Sequence, residues 1–236
     1  MDVQNLNIAV VGAGYAGAAT ARALINLGAN VTVYEQASAV GEVGAGIGLR
    51  PSSLAQFRKL GILGDVEKVT SPSESFEILT ATGTLIADEK WPETDEYSTT
   101  TRFVHRADFI DVLTGVLPHG VVKLGHRLET VVDNGTHANL TFTNGETVTA
   151  DLVIGADGIR SRVRSALFST AEPVFAGEHA YRVIVDNDKT HGIPLDSKLR
   201  MYLATAPRCT CFRSNTAARS PTTSPHSTPT PPRRRR

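Results

Sequence analysis

The chain has 236 residues, 41% of them hydrophobic, and its 24 basic and 24 acidic side chains give a formal net charge of zero. Seven arginines and no acid fall in 206–236, which leaves 17 basic and 24 acidic residues in 1–205, a net of −7. A body of that sign argues against a nucleic-acid partner, and the two cysteines, Cys209 and Cys211, both in the tail, give neither a disulfide framework nor a cysteine metal site. The start, M-D-V-Q-N-L-N, lacks a basic leader region, and the apolar run behind it belongs to a strand and helix. No signal peptide and no membrane span are expected, and the cytoplasm is the expected compartment.

Residues 8–35 carry the first element group. An apolar, β-branched run, Ile8 to Val11, ends in Gly12, Gly14 and Gly17, and an alanine-rich helical segment follows. Gly28 stops it, a short strand runs from Val31 to Tyr34, and Glu35 closes the unit 18 residues past Gly17. Strand, glycine turn, helix, strand and acid in this order are the pattern of a dinucleotide-binding βαβ unit. Gly12 permits the tight turn, Gly14 lets backbone approach a pyrophosphate, and Gly17 lets the helix pack on the sheet. The helix start offers free N–H groups and positive dipole to phosphate, and the Glu35 carboxylate can accept hydrogen bonds from ribose hydroxyls. From these residues alone, NAD and FAD fit equally.

Gly41, Gly44, Gly46 and Gly48 crowd the next segment. This suggests backbone lying against something flat, with a flexible surface loop as the plain alternative. Pro51, Ser52 and Ser53 open a helix carrying Leu54, Phe57 and Leu60 and ending at Gly61. From Phe76 the period changes, and F-E-I-L-T-A, Thr82–Gly83 and T-L-I-A read as a hairpin. Trp91 is the one large apolar side chain in the polar stretch from Glu89 to Thr101, and it reads as packing. R-F-V-H gives a short strand, and Arg106 opens a helix with Phe109, Ile110, Leu113 and Leu117 on one face. Strands follow at Val121–Leu124, Leu128–Val132 and Ala138–Phe142, with Asn144–Gly145 turning into Glu146–Thr149. Asp151 to Ile154 is a last apolar strand running into G-A-D-G-I-R-S-R-V-R, and Tyr181–Val185 and Leu199–Leu203 read as strands of a second sheet. Beyond Ala206, sixteen of 31 residues are Ser, Thr or Pro and the apolar period is gone, so 206–236 reads as a disordered tail, with out-of-frame or aberrantly spliced translation its favoured origin.

Three segments converge: the βαβ unit with Glu35, H-R-A-D-F with Arg106, and D-L-V-I-G-A-D-G-I-R-S-R-V-R with Asp157. Together, across residues 8–185, they resemble the class A flavin-dependent aromatic monooxygenases, the group of salicylate, hydroxybenzoate and related fungal hydroxylases. The resemblance implies an α/β, Rossmann-like FAD/NAD(P)-binding fold with an interleaved β-sheet substrate domain. Residues 1–70 and 101–175 would form the FAD-binding domain, and 71–100 and 176–205 a partial substrate sheet. It implies that Gly12, Gly14 and Gly17 hold the FAD pyrophosphate and Glu35 the adenosine ribose. The loop containing Gly44, Gly46 and Gly48 would lie beside the isoalloxazine, and Arg106 and Asp157 near the ribityl–phosphate region. Arg182 would face the substrate. NAD(P)H would be the co-substrate, and oxygen would pass from O₂ through the reduced flavin to an electron-rich aromatic ring.

Plainer roles stand beside these. Asp157, before Gly158, is also placed to cap the following helix. Arg106 at a helix start is poorly placed for the macrodipole, which makes a purely structural role less natural there. His105 and His126 read as surface or satisfied histidines, and Arg160, Arg162 and Arg164 as a solvated helix face. The family's downstream G-D-A-A-H motif has no counterpart in 205–236, so the fold is expected to be incomplete at the C-terminus. Two functions stay open: an FAD-dependent aromatic monooxygenase, and a non-catalytic FAD-binding fragment.

Overall fold

A computed structural model describes residues 3–39, 46–91, 101–177, 187–189, 192, 196–203 and 209–211. Strand β1 (Asn7–Val11) leads through the glycine turn into α1 (Tyr15–Asn26) and then β2 (Asn30–Tyr34). After β3 (Gly46–Leu49) come α2 (Pro51–Lys59), α3 (Leu63–Lys68), β4 (Thr70–Pro72), β5 (Ser75–Thr80) and β6 (Leu85–Lys90). Then follow β7 (Arg102–His105), α4 (Arg106–Gly115), β8 (Val122–Lys123), β9 (Leu128–Asp133), β10 (Ala138–Phe142), β11 (Thr147–Ala150), β12 (Leu152–Gly155) and α5 (Arg162–Leu167). A 3₁₀ turn at Asn187–Lys189, β13 (Lys198–Leu203) and β14 (Cys209–Cys211) complete the described elements.

Four strands in the order β12-β1-β2-β8 form a parallel sheet, with Val10 paired to Val33 on one side and Ile154 on the other. Strand alternation divides β1 between two cores. Ile8 and Val10 join Val31, Val33, Leu54, Phe57, Phe109 and Leu113 beneath the helices, while Ala9 and Val11 join Tyr34, Leu140, Phe142 and Val163 on the opposite face. That second face is covered by the antiparallel meander β11-β10-β9. A sheet buried on both faces explains why β1 and β2 read as near-continuous apolar runs. Asn144–Gly145 turns the meander as the sequence predicts, with Gly145 at φ 87°.

The second sheet has the order β14-β13-β5-β6. The Thr82–Gly83 hairpin joins β5 to β6 antiparallel, and β13 lies parallel on β5 in the register Phe76 to Leu199. Strand β14 pairs antiparallel with β13, so part of the tail read as structureless adds a strand. Residues 212–236, and the strand expected at Tyr181–Val185, lie outside the described residues. Among the described residues, no helix is long and apolar enough to cross a membrane.

Candidate functional site

The glycine turn after β1 is fixed by contact. Gly12 has φ +102°, and a Cβ there would lie 2.4 Å from the Ala156 carbonyl oxygen. A Cβ on Gly17 would lie 1.8 Å from the Gly12 carbonyl oxygen, so no other residue fits where α1 meets the turn. Gly14 differs: nothing lies within 4 Å of its would-be Cβ. It occupies the N-cap of α1 in an extended conformation and offers no side-chain cap, and no acid sits in the first turn. The start of α1 is thus an uncapped helix N-terminus with an open approach over Gly14, which suits a phosphate group.

Glu35, at the end of β2, points back to that turn. Its Oε2 accepts the Ala13 N–H at 2.8 Å and its Oε1 the Ala37 N–H at 2.9 Å. The Gly12 N–H donates to the Tyr34 carbonyl at 2.8 Å. The carboxylate expected to meet a ribose is therefore also the brace of the phosphate turn, with lone pairs left for further donors.

Arg106 begins α4, whose buried face packs on α1 through Phe109, 5.3 Å from the Tyr15 ring. The Arg106 guanidinium lies 5.2 Å over the same Tyr15 ring, which places a cation beside the first residue of α1. His105, just before it, is buried rather than on the surface, with Nδ1 3.8 Å from the Asp108 carboxylate. His126 is satisfied as expected: Nδ1 donates to the Leu124 carbonyl at 2.7 Å, and Nε2 lies 2.8 Å from Glu146.

The glycine-rich loop is corrected in part. Gly46 and Gly48 stand in β3, paired antiparallel with His105 and Phe103 of β7, rather than in a loop. A Cβ on Gly48 would meet the Phe103 ring at 3.1 Å. Gly44 lies outside the described residues, as does Arg182. The pairing still carries Gly46 next to the start of α4, on the same strand pair that presents Arg106.

Asp157 takes its plainer role. Its Oδ2 accepts the Arg162 N–H at 2.6 Å and the Val163 N–H at 3.2 Å, and its Oδ1 accepts the Ser161 hydroxyl at 2.5 Å. Ser161 in turn caps α5 by accepting the Arg164 N–H at 2.9 Å. The Ala156–Asp157 turn nevertheless abuts Gly12, with the Ala156 N–H donating to the Val11 carbonyl. The expected solvated helix face holds only in part: Arg160 and Arg162 are exposed, but Arg160 precedes α5, and Arg164 is half-buried and donates to the Ile159 carbonyl at 2.8 Å. Trp91 packs as expected, 5.2 Å from Phe76, under the Arg50 guanidinium and donating to the Ser73 hydroxyl at 3.0 Å.

Sequence reasoning missed two charged clusters. Around Tyr34, Glu146 accepts from Lys123 at 3.0 Å as well as facing His126. Hydrogen bonding from His126, then Lys123, holds the Glu146 carboxyl below the usual range, while burial pushes the Tyr34 phenol up. On the second sheet, buried Arg200 meets Glu77 at 2.7 Å and Asp196 in a two-pronged contact, and Lys198 bridges Glu77 and Asp88 at 2.7 and 2.9 Å. Hydrogen bonding to Glu77 pushes Lys198 up to about 12, and the Arg200 and Lys198 contacts hold Asp196 and Asp88 down. Lys198 and Arg200 at alternate positions of β13 were the available signal, but their parallel pairing to Glu77 across more than a hundred residues has no local sequence mark.

Among the described residues, no group of three or more acidic, histidine or cysteine side chains is arranged for a metal ion. The donors gathered at α1 instead fit a dinucleotide: an uncapped helix start, an open glycine, a terminal carboxylate and a nearby guanidinium.

The comparisons agree. The family model described as "FAD binding domain" matches residues 5–226. The 6-hydroxynicotinate 3-monooxygenase of Pseudomonas fluorescens is 35% identical over 204 residues, covering 84% of this chain and 53% of that protein. The salicylate hydroxylase of Pseudomonas putida is 35% identical over 199 residues, 77% of this chain and 44% of that one. Among solved structures, 2,6-dihydroxypyridine-3-hydroxylase from Arthrobacter nicotinovorans superposes with a TM-score of 0.72 at 22% identity, over 89% of this chain and 52% of that one. Klebsiella pneumoniae HpxO complexed with FAD and uric acid also gives 0.72, at 20% identity, over 91% of this chain and 55% of that one. The chain spans about half the length of the curated relatives it matches. With a family model matching residues 5–226 and an open, glycine-built helix start that suits a dinucleotide, this chain belongs to the FAD binding domain family.

Proposed function

We propose that this chain binds FAD along the line from Glu35 through the Gly12–Gly17 turn to Arg106, and supplies that half of an NAD(P)H-dependent, O₂-using hydroxylase of a small phenolic or other electron-rich aromatic substrate. The observation that carries the reading is the open, uncapped start of α1, flanked by a carboxylate at one side and a guanidinium at the other. Bound FAD supplies the electron- and oxygen-transfer chemistry, with NAD(P)H as reductant.

The residues divide the work of holding it. Backbone N–H groups at the turn and at the start of α1 take the pyrophosphate, and the bare Gly14 leaves room for it. Glu35 accepts the ribose hydroxyls with the lone pairs that Ala13 and Ala37 leave open. Arg106 contributes positive charge beside the phosphates, and its stack on Tyr15 restricts where that charge can go. Gly46 and Gly48 present bare backbone to the flavin end. Asp157 acts through the α5 cap, which holds the Ala156 turn against Gly12. Arg182 is assigned to the substrate side on the family pattern alone. The partners are small molecules rather than nucleic acid, and the compartment is the cytoplasm, where NAD(P)H is available.

The second reading is a non-catalytic FAD-binding fragment, and the half-length coverage of the relatives favours it for the isolated chain. One preparation tests both readings. Purified protein is expected to carry flavin absorbance or to quench added FAD fluorescence; a colourless protein that does not quench FAD overturns the binding reading. NADPH oxidation stimulated by a phenolic acid is expected to be weak or absent, and robust hydroxylation overturns the fragment reading.

A further inference from the structure

We propose that His126 is a positioning residue for the adenosine half of the cofactor, acting through Glu35; the proposal rests on the FAD reading above. The backbone of Glu35 is held by one short segment. Its N–H donates to the Lys123 carbonyl at 2.9 Å, and its carbonyl accepts the His126 N–H at 2.8 Å. Two residues on, the Ala37 carbonyl accepts the Gly125 N–H at 2.9 Å. Segment 123–126 thus fixes Glu35 and Ala37 together, and the Glu35 carboxylate spans from Ala37 to Ala13 of the phosphate turn.

Besides these backbone bonds to Glu35 and Ala37, the Asn144 side-chain amide donates to the Gly125 carbonyl at 3.5 Å. The segment continues β8, a two-residue strand at the edge of the parallel sheet, and such an edge frays without a tether. The His126 ring is the tether at the far end of the segment from Lys123. Nδ1 closes a tight turn onto the Leu124 carbonyl at 2.7 Å, and Nε2 reaches Glu146, just after the meander's Asn144–Gly145 turn, at 2.8 Å. The ring packs against the stacked pair of Tyr34 and Phe142, with centroids 5.6 and 5.3 Å away. The other oxygen of Glu146 takes Lys123 Nζ at 3.0 Å, so one carboxylate brackets both ends of the segment. His126 needs no contact with the cofactor to act: it decides where the Glu35 carboxylate and the Ala13 N–H sit when the adenosine end arrives.

The test separates position from general stability. Apo-protein is titrated with FAD, with ADP-ribose, which has the adenosine end without the flavin, and with riboflavin, which has the flavin without the adenosine. His126→Ala is expected to weaken FAD and ADP-ribose by the same factor, about tenfold, and to leave riboflavin within about twofold. Glu146→Ala is the fold-safe companion, because that side chain is 39% exposed. It is expected to weaken the same two ligands less, and His126→Gln, which keeps a polar end, to recover part of the loss. FAD and ADP-ribose affinities unchanged in both alanine variants overturn the proposal while leaving the cofactor reading intact. So does an equal loss for all three ligands, the sign of a merely structural residue. Wild-type protein that binds neither FAD nor ADP-ribose overturns the cofactor reading, and this proposal falls with it.

Discussion

Gly14 and Gly17 sit three residues apart in one turn and answer to different constraints. Gly17 has the Gly12 carbonyl where a Cβ would be, so Gly17→Ala must push α1 off the sheet. The expected cost is ~2 kcal/mol or more, read as a lower melting temperature with or without cofactor. Gly14 has open space and an ordinary negative φ of −67°, so Gly14→Ala is expected to leave the melting temperature of the apo-protein unchanged. Its methyl group instead occupies the phosphate approach, and FAD affinity is expected to fall by at least about tenfold in a fluorescence titration. A matching loss of stability in both variants would show that Gly14 serves packing and not the ligand. The tight turn at Gly12 and the close packing at Gly17 were legible in the sequence because the spacing of the turn fixes them. The brace from Glu35 to Ala13 was not, since an acid at the end of β2 is equally suited to a ribose or to a backbone amide until the turn is in place.

Individual elements show which local signals held. Helix α5 is short, and its start is built from two side chains, Ser161 on the Arg164 N–H and Asp157 on Arg162 and Val163. Ser161→Ala is expected to cost about 1 kcal/mol, a drop of roughly 2–4 °C in melting temperature. Strand β3 corrects a loop expectation: glycine content argued against regular structure, but pairing with β7 supplies partners that composition cannot announce. The charge ladder on β5, β6 and β13 is likewise a product of register. Its pH dependence has two arms. Asp88 and Asp196 are held below the ordinary carboxylate range, so their contribution is present above that range and lost as pH falls through their lowered values. Lys198 is pushed up to about 12, so its contribution is complete below its ordinary value and lost as pH rises through about 12. Lys198→Met is expected to flatten both arms in melting temperature measured against pH, and steeper acid or alkaline loss in the variant would contradict the ladder.

Among the described residues the strands form four sheets: the parallel β12-β1-β2-β8 sheet, the β11-β10-β9 meander, the β14-β13-β5-β6 sheet and the small β3-β7-β4 sheet. The parallel sheet is buried by helices on one face and the meander on the other, and the sheet containing β5 joins residues 75–90 to 198–211. At this scale the expected outcome concerns cofactor linkage. Saturating FAD binds only the folded chain, and at about one hundred times its dissociation constant it is expected to add roughly 2.7 kcal/mol, seen as a raised melting temperature. Arg106→Met is expected to remove most of that shift while leaving the apo-protein close to wild type, because Arg106 as a residue is only half-buried and a methionine keeps its packing on Tyr15. The sequence by itself determined the dinucleotide unit at residues 8–35, the β5–β6 hairpin, the β7–α4 unit and the strands from β8 to β12, and the resemblance that pointed to FAD, but not β3, α3 or β4. It could do so because strand alternation, helix stops and glycine turns are set by neighbours within a few residues. Tertiary structure decided the rest: that Glu35 braces the glycine turn, that Asp157 joins Ser161 in capping α5, that Gly46 and Gly48 lie in a strand, and that His126 and Glu146 meet at the edge behind Glu35. Each of these depends on contacts between segments far apart in the chain, and only the folded backbone brings such partners within hydrogen-bond reach.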